Sequence, residues 1–319
     1  MKTITILVPC YNEEFMLELF YYSVKNIIDD IPQYIFKFLF VDDGSNDKTL
    51  LVIKKLQHCN INIFYISLSR NFGKETAMLA GIDYINSDAT IIMDADLQDP
   101  PYLIPQMIAE WEKGYLDVYA KRRHRKEETW FKKFSSKLYY RILNKLSDVP
   151  VLVDVGDFRL LDKQCIKALQ SMRECQRYTK GLFSWIGYKK KAILYNREPR
   201  KVGKTKWNYR KLIHLAINGI TSFSTVPLHI SSWLGFLVSF CAFSYMVFII
   251  LKTLIYGDSV PGYPSLVAII LFVGGIQLIV LGIIGEYLGK IFNESKHRPL
   301  YLISESNIDK KSSTMQEYD

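Results

Sequence analysis

The chain lacks the cysteine and glycine patterns that mark several common classes of protein. Its five cysteines form no Cys-x-x-Cys pair, which argues against a zinc site and against a disulfide framework. We therefore expect a reduced chain that faces the cytosol. The segment after the N-terminal apolar run, residues 9–14, contains no glycine, and no P-loop pattern occurs. These absences disfavour dehydrogenase-type dinucleotide binding and P-loop phosphate binding.

Two stretches near the C-terminal end lack Asp, Glu, Lys and Arg. They cover residues 230–251, which are 22 residues, and 259–285, which are 27. The first would reach about 33 Å as a helix, enough to cross a hydrocarbon core. Prolines at 261 and 264 indicate that the second helix starts near Ser265, which leaves about 21 residues. The sequence predicts two membrane spans, and two buried helices of a soluble core are the alternative.

Basic residues flank this hairpin on its outer sides. Seven occur in residues 197–211 and three in 290–298, whereas the loop between the spans has a single lysine. The positive-inside rule then predicts a multi-pass protein of the cytoplasmic membrane, with both large flanks in the cytoplasm. We divide the chain into a cytoplasmic domain (1–206), an interfacial helix (207–229), a two-helix hairpin (230–290) and a cytoplasmic tail (291–319). The tail is polar after Ile303, and we expect it to be loose there.

The N-terminal part alternates short β-branched runs with longer helical patterns. Strands are expected at residues 4–8, 36–41, 61–66, 90–93 and 117–120. Helices are expected at residues 13–28, 47–57, 74–85 and 103–113. This order predicts an α/β fold with a doubly wound, mostly parallel, Rossmann-like sheet. Such sheets bind ligands at the carboxyl ends of their strands.

Acidic residues follow the expected strands at that edge. Asp94 and Asp96 come directly after a strand, and residues two apart in an extended segment point the same way. Carboxylates, with the amide oxygen of Gln98 nearby, suit Mg²⁺ or Mn²⁺ on a diphosphate. A solvated loop is the alternative. Asp42 and the residues up to Ser45 could bind a base or ribose, or could cap the following helix.

Positive charge is concentrated in one segment. The chain has 41 Lys and Arg against 32 Asp and Glu, and residues 121–145 contain ten basic residues but two acidic ones. Apolar residues recur there at near-helical spacing, which is typical of a basic amphipathic helix on an anionic bilayer. Nucleic-acid binding is the alternative. The two predicted spans favour the bilayer, so we expect no nucleic-acid partner.

These segments together resemble the inverting family 2 glycosyltransferases. The matching motifs are VPCYNEE (8–14), VDDGS (41–45), SRNFGKE (69–75), DADLQD (94–99) and VGDFR (155–159). The resemblance continues through both spans in ITSFST (220–225), GYPSL (262–266) and GEYLG (285–289). Within the family, the chain is most similar to the polyisoprenyl-phosphate glycosyltransferases. The resemblance implies a GT-A fold followed by interfacial and transmembrane helices.

The resemblance also implies roles for individual residues. Those implied for the nucleotide sugar are Pro9, Tyr11, Asn12, Glu13, Asp42, Lys74, Asp94 and Ala95. A divalent cation, Mg²⁺ or Mn²⁺, would be held by Asp94, Asp96 and Gln98. The residues implied to be catalytic are Asp157 and Asp96. The residues implied for the acceptor phosphate are Arg122, Lys132, Lys133, Arg200 and Lys206. The loop at 200–206, taken without the resemblance, is a basic segment attracted to lipid headgroups.

Asp157 matches a general base in relatives with hydroxyl acceptors. A lipid phosphate has a second pKa near ~6 and is largely anionic already. We therefore expect Asp157 to orient the acceptor through neighbouring cations, or to take a proton only when the monoanion binds. A structural pair with Arg159 is the alternative.

The resemblance implies transfer of one hexose to undecaprenyl phosphate at the cytoplasmic face, with glucose from UDP-glucose as the expected donor. The Q-x-x-R-W motif of processive members is absent, so a single transfer is expected. Relatives imply a homo-oligomer, a tetramer, and a flippase that takes the product. Other hexoses, N-acetylhexosamines, modified arabinose and a GDP donor stay open. A sugar-1-phosphate nucleotidyltransferase and a non-catalytic membrane scaffold are the alternatives from other classes.

Overall fold

The computed structural model describes residues 1–123, 155–175, 177–195, 226–256 and 262–308. These residues contribute eight strands to one sheet: β1 Lys2–Cys10, β2 Tyr34–Asp42, β3 Ile63–Leu68, β4 Ala89–Ile92, β5 Asp117–Arg122, β6 Val155–Asp162, β7 Lys190–Tyr195 and β8 Ile303–Ser306. The helices they form are α1 Leu17–Ile28, α2 Thr49–Cys59, α3 Lys74–Tyr84, α4 Ile104–Glu112, α5 Lys163–Ser171, α6 Thr179–Trp185, α7 Val226–Tyr256 and α8 Tyr263–Ser295.

The sheet has the strand order β7-β5-β6-β4-β1-β2-β3-β8. Strand β1 pairs in parallel with both β2 and β4, and β2 pairs in parallel with β3. Strands β6 and β8 run antiparallel to their neighbours. The expected α/β class with a mostly parallel sheet is therefore confirmed.

Helices cover both faces of the sheet, as the alternation of side chains along β1 requires. Ile4, Ile6 and Val8 belong to one buried cluster with apolar residues of α1, α2 and α4. Leu7 is outside that cluster, fully buried, and contacts α3 on the other face. The central strands are apolar on both faces for this reason.

The predicted strands and helices exist, with shifted ends. The first helix begins at Leu17 rather than at residue 13, because residues 13–16 form a turn in which the Met16 amide donates to the Glu13 carbonyl. Three strands were not predicted: β6, β7 and β8. Helices α5 and α6 were not predicted either.

The expectation of a loose tail after Ile303 is wrong for residues 303–306, whereas residues 309–319 lie outside the described part of the chain. Residues Ile303–Ser306 form β8, which pairs with β3. Glu305 accepts a hydrogen bond of 2.5 Å from the Tyr65 hydroxyl and lies 2.6 Å from the Lys54 ammonium. Just before the strand, the Tyr301 hydroxyl donates to Asp83 at 2.7 Å. These side-chain contacts hold the segment on the edge of the sheet although its sequence is polar.

Helices α7 and α8 form a second compact unit. They have 31 and 33 residues, and each contains an apolar window long enough to cross a membrane: Leu228–Tyr245 and Phe272–Ser295. Almost none of either window is buried in the chain, so these helices are candidate membrane spans. The predicted interfacial helix, 207–229, lies outside the described residues as far as residue 225.

Gly81 provides a test of how closely α3 packs on the sheet. A methyl group at this position would lie 2.2 Å from Leu7 Cδ1 and 3.0 Å from Val41 Cγ2. We expect Gly81→Ala to destabilise the sheet unit, because an overpacking cost of about 1–3 kcal/mol exceeds the gain in helix propensity of about 1 kcal/mol. Denaturant unfolding of the full chain measures the difference.

The matched control is Gly235→Ala in α7, where nothing lies within 4 Å of the added methyl group. It should leave the unfolding of the sheet unit unchanged. A Gly81→Ala variant as stable as the parent chain would contradict the packing described for α3.

Candidate functional site

The register of β6 brings two acidic residues to one edge of the sheet. In the antiparallel pair of β4 and β6, Ile92 lies opposite Arg159. Asp94 is two residues after Ile92, and Asp157 is two residues before Arg159, so the two aspartates come together beyond the carboxyl end of β4. Because β6 runs antiparallel to its neighbours β4 and β5, it starts at the edge of the sheet where they end.

The ammonium group of Lys74 lies between these aspartates. Its Nζ atom is 2.7 Å from Asp94 Oδ1 and 2.5 Å from Asp157 Oδ2. Lys74 is the first residue of α3 and follows Gly73, which has a φ of 98°. The Lys74 side chain is 42% exposed, whereas that of Asp157 is 11% exposed. Three residues that were predicted separately, from three motifs, therefore form one ionic cluster.

The cluster determines the charge state of Asp157. Burial disfavours the ionised carboxylate, but the ammonium group of Lys74 more than compensates, with smaller contributions from Lys180 and Arg159, and the pKa of Asp157 falls to about 2. Asp157 is therefore ionised throughout the neutral pH range. Its Oδ1 atom is buried and has no hydrogen-bond partner among the described residues.

Asp94 and Asp96 have the chemistry of a site for a divalent cation that is shared with a ligand. The two carboxylates supply hard oxygen donors. Gln98 follows on the same turn, where its backbone amide donates a hydrogen bond of 3.2 Å to Asp96 Oδ1. The described residues contain no group of three His, Cys, Asp or Glu that could hold a metal ion unaided. Mg²⁺ is commonly held by one or two carboxylates and completed by substrate phosphates. The Lys74 ammonium group beside Asp94 marks the place as one that favours positive charge, so the residues fit the cation.

A second set of loops forms the edge at the ends of β1 and β2. Asn12 adopts a φ of 54°, and its amide donates to Ser45 Oγ at 2.9 Å, while the Asn46 amide donates to Asn12 Oδ1 at 2.9 Å. The Glu13 amide donates to Thr49 Oγ1 at 2.8 Å. Pro9 lies in β1, and Tyr11, which is 39% exposed, follows directly after the strand ends at Cys10. Three of the predicted nucleotide-sugar residues, Tyr11, Asn12 and Glu13, thus lie on one loop, and Pro9 lies in the strand that precedes it.

Asp42 and Asp43 are buried at the end of β2 and have different partners. Asp42 accepts hydrogen bonds from Ser67 Oγ at 2.8 Å and from the Ser45 amide at 3.1 Å. Asp43 accepts from the amides of Phe72 and Gly73 at 2.7 and 2.9 Å. Burial raises the pKa of Asp43, although these amides oppose the shift. Asp43 therefore anchors the loop that leads into Lys74.

Gly44 allows this loop to approach its neighbour. Its φ is 65°, and a Cβ atom at this position would lie 2.4 Å from the backbone carbonyl carbon of Arg70. Only glycine avoids both the strain and the overlap. The 41–45 motif and the 69–75 motif are consequently in backbone contact at the edge of the sheet.

Arg122, the one predicted acceptor-phosphate residue within the described part, lies at the end of β5. It is the register partner of Tyr195, whose hydroxyl accepts from Arg122 Nε at 3.5 Å and donates to the buried carboxylate of Asp99. A Cβ atom on Gly156 would lie 3.8 Å from Arg122 Nη2. Arg122 therefore has its guanidinium group near the residue that precedes Asp157.

Arg159 does not form the structural pair with Asp157 that was considered as an alternative. It is 1% exposed, lies 3.2 Å from Asp117 Oδ2 and stacks 3.6 Å from the centre of the Phe183 ring. Burial raises the pKa of Asp117, and Arg159 opposes that shift. This buried pair fixes β6 to β5 two residues from Asp157.

The remaining predicted residues are distributed as follows. The Ala95 side chain is 3% exposed and packs in the main core. Any contact of Ala95 with a ligand would therefore be made by its backbone. Lys132, Lys133, Arg200 and Lys206 lie outside the described residues. Lys180 and Tyr195 were not predicted, because no motif spacing marks a residue that reaches the site from a distant helix or strand. Asp99 belongs to the 94–99 motif, but no role was predicted for it.

Comparisons with known proteins point to one family. The model of glycosyl transferase family 2 matches residues 5–169. An uncharacterized glycosyltransferase of Synechocystis sp. is 45% identical over 302 residues, which cover 95% of each chain. The prophage bactoprenol glucosyl transferase homolog of Escherichia coli strain K12 is 41% identical over 300 residues, 94% of this chain and 98% of its own.

A solved structure aligns at lower similarity. The mannosyl-3-phosphoglycerate synthase from Rubrobacter xylanophilus aligns with 69% of this chain and 72% of its own chain, at 16% identity and a TM-score of 0.46.

The buried pair beside the site gives a stability prediction. We expect Arg159→Met to destabilise the sheet unit by about 3–5 kcal/mol, because it leaves Asp117 buried without its counter-charge. This loss of unfolding free energy should be larger at pH 8 than at pH 5. Burial raises the pKa of Asp117 in the folded state, so stability is lost as the pH rises through that pKa and the carboxyl group ionises. Urea unfolding at the two pH values measures this.

The double variant Arg159→Met with Asp117→Leu is the control and should recover most of the loss, because it removes both charges together. A double variant no more stable than Arg159→Met would mean that Arg159 acts through packing on Phe183 instead.

Proposed function

The chain belongs to glycosyl transferase family 2, and we propose that it transfers one hexose, glucose from UDP-glucose, to undecaprenyl phosphate at the cytoplasmic face of the membrane. The relatives named bactoprenol glucosyl transferase support the choice of acceptor and sugar. The observation that carries the proposal is the convergence of Asp94, Asp157 and Lys74 beside the Asp42 loop. This edge offers adjoining regions for a nucleotide, a diphosphate and an attacking anion.

The nucleoside side of the site is the β1–β2 edge. Asp42 is held by Ser67 and Ser45, so its carboxylate is fixed for hydrogen bonding with a base or ribose. The Asn12 and Ser45 loops are tied to each other, which preorganises this region. Preorganised groups bind at a lower entropic cost than mobile ones. In the proposal these loops, with Pro9, Tyr11 and Glu13, hold the nucleoside of the donor.

The diphosphate side is the turn after β4. Asp94 and Asp96, with Gln98, would hold Mg²⁺ or Mn²⁺. When bound, such a cation supplies positive charge that stabilises a nucleoside diphosphate leaving group. Lys74 adds a second positive charge that can reach the same phosphates from the first turn of α3. These residues favour departure of UDP from the anomeric carbon.

The acceptor side is the start of β6 and the end of β5. An oxygen of the lipid phosphate attacks the anomeric carbon of the sugar as the bond to UDP breaks, which inverts the configuration there. Because the phosphate is already anionic near neutral pH, with a second pKa near ~6, the reaction requires no proton abstraction. Arg122 lies near Gly156 and can pair with the phosphate. Asp157, with its lowered pKa, is a weak base and positions the cations around the phosphate.

The candidate membrane spans fit a lipid acceptor. Helices α7 and α8 would anchor the chain, and the basic residues on their outer sides favour the cytoplasmic face for the sheet unit. A polyprenyl phosphate has its headgroup at that surface. The lipid-linked hexose would pass to a flippase, and the family resemblance favours a homo-oligomer, a tetramer, as the working form.

The direct test is a donor panel. Membranes that contain the protein are incubated with undecaprenyl phosphate, Mg²⁺ or Mn²⁺, and radiolabelled sugar nucleotides, and the butanol-extractable label is counted. We expect label from UDP-glucose, with one sugar per lipid. Extraction of label only from another sugar nucleotide would replace glucose as the donor, and a ladder of products would overturn single transfer.

The same assay tests the acidic turn. Asp94→Asn and Asp96→Asn should each lower transfer by about 100-fold or more, as loss of a group that stabilises charge in the transition state does. EDTA should abolish transfer, and added Mg²⁺ or Mn²⁺ should restore it. Asp29→Asn, at an exposed pair with Lys25 on α1, is the matched control and should transfer at the parent rate. Full activity in EDTA would rule out the proposed mechanism.

The role of Asp157 is tested by pH. Since its pKa is about 2, Asp157 is ionised at every pH from 5.5 to 8.5. We expect Asp157→Asn to lower kcat by a similar factor, about tenfold or more, across this range. A loss confined to the acidic end would instead identify Asp157 as a base for the phosphate monoanion.

A further inference from the structure

The position of Lys74 is unusual for a cation in a helix. It is the first residue of α3, where the helix dipole favours negative charge and opposes a lysine. The local structure has compensated for this charge with Asp94 and Asp157, which come from two different strand ends. Helix stability therefore does not explain the lysine at this position.

The ammonium group of Lys74 contacts carboxylate oxygens, as a bound metal ion would. Nζ lies 2.7 and 2.8 Å from the two oxygens of Asp94 and 2.5 Å from Asp157 Oδ2. Three carboxylate oxygens thus converge on one positive centre. A single ammonium group holds together the two aspartates that would otherwise repel each other.

The side chain of Lys74 can also move away from Asp94. It is 42% exposed and has a flexible four-carbon stem. A divalent cation at Asp94 would repel the ammonium group of Lys74, so binding of the cation weakens the contact between Lys74 and Asp94. Loss of the Asp94 contact still leaves Lys74 within reach of Asp157 and of solvent.

We infer that Lys74 is an internal counter-ion that occupies the cation position at Asp94 before the donor binds, and that it moves to the donor diphosphate when the metal-bound nucleotide sugar enters. This inference rests on the proposed function, since it takes Asp94 as the metal-binding residue. It assigns Lys74 two successive partners: the carboxylates in the free protein and the phosphates in the complex. The free protein should therefore bind a divalent cation weakly until the nucleotide arrives.

The test is the affinity for Mn²⁺ alone, measured by electron paramagnetic resonance on the full chain in detergent. Lys74→Met should bind Mn²⁺ about fivefold more tightly than the parent chain, because the competing ion pair is gone. The same variant should bind UDP-glucose with Mn²⁺ about tenfold more weakly, since a charge-assisted hydrogen bond to phosphate is lost. A residue with a merely structural role would not change the two affinities in opposite directions.

The matched control is Lys55→Met, which removes a lysine that pairs with Glu18 on the outside of the sheet unit. It should leave both affinities unchanged. Equal or weaker binding of Mn²⁺ by Lys74→Met, including no binding by either protein, would overturn the inference.

A second measurement uses the parent chain and does not depend on how the variant folds. Acylation of Lys74, followed by mass spectrometry, should become faster when Mn²⁺ alone is added and slower when Mn²⁺ and UDP are added together. Unchanged labelling with Mn²⁺ would contradict the exchange of partners. If the parent chain transfers hexose while either test fails, the assignment of Lys74 is wrong and the proposed function stands. If both tests succeed but the parent chain transfers no hexose to undecaprenyl phosphate, the assignment of Lys74 stands and the proposed transfer reaction is wrong.

Discussion

Two carboxylates can share one edge of this sheet because a positive charge lies between them. Asp94 and Asp157 approach the same point from opposite strand directions, and Lys74 compensates both. Neighbouring carboxylates without a cation would raise each other's pKa and one would take up a proton. Here the pKa of Asp157 is lowered instead. The ionic cluster thus keeps the carboxylate of Asp157 ionised at this edge of the sheet.

The reversed direction of β6 is what makes the cluster possible. A parallel strand at this place would begin at the far edge of the sheet, whereas β6 begins at the carboxyl edge and presents Asp157 there. Residues two apart in a strand share a face, so Arg159 lies on the same side one step further inside. Its pairing with buried Asp117 ties the strand to β5. One short strand therefore carries both Asp157, a candidate site residue, and Arg159, the residue that fixes the position of the strand.

The first five strands, β1 to β5, could be predicted from the sequence, because they are short β-branched and aromatic runs that alternate with helical patterns. The turn at Asp94 and Asp96 could be predicted for the same reason, since it follows such a run directly. The contact of Lys74 with Asp157 could not, because it depends on the register of a strand that lies about eighty residues away and runs antiparallel. The role of β8 was missed because its residues are polar, and its pairing depends on Tyr65, Lys54 and Asp83 rather than on an apolar face.

The last strand of the sheet has a consequence for how the protein is made. Strand β8 follows α8 in the chain and covers the outer edge of β3. During synthesis that edge stays unpaired until both apolar helices have left the ribosome, and unpaired strand edges are prone to aggregate. The pairing of β8 with β3 can therefore form only after α7 and α8, the two candidate membrane spans, have been synthesised. A nascent chain stalled before residue 303 would display an open edge that quality-control factors could recognise.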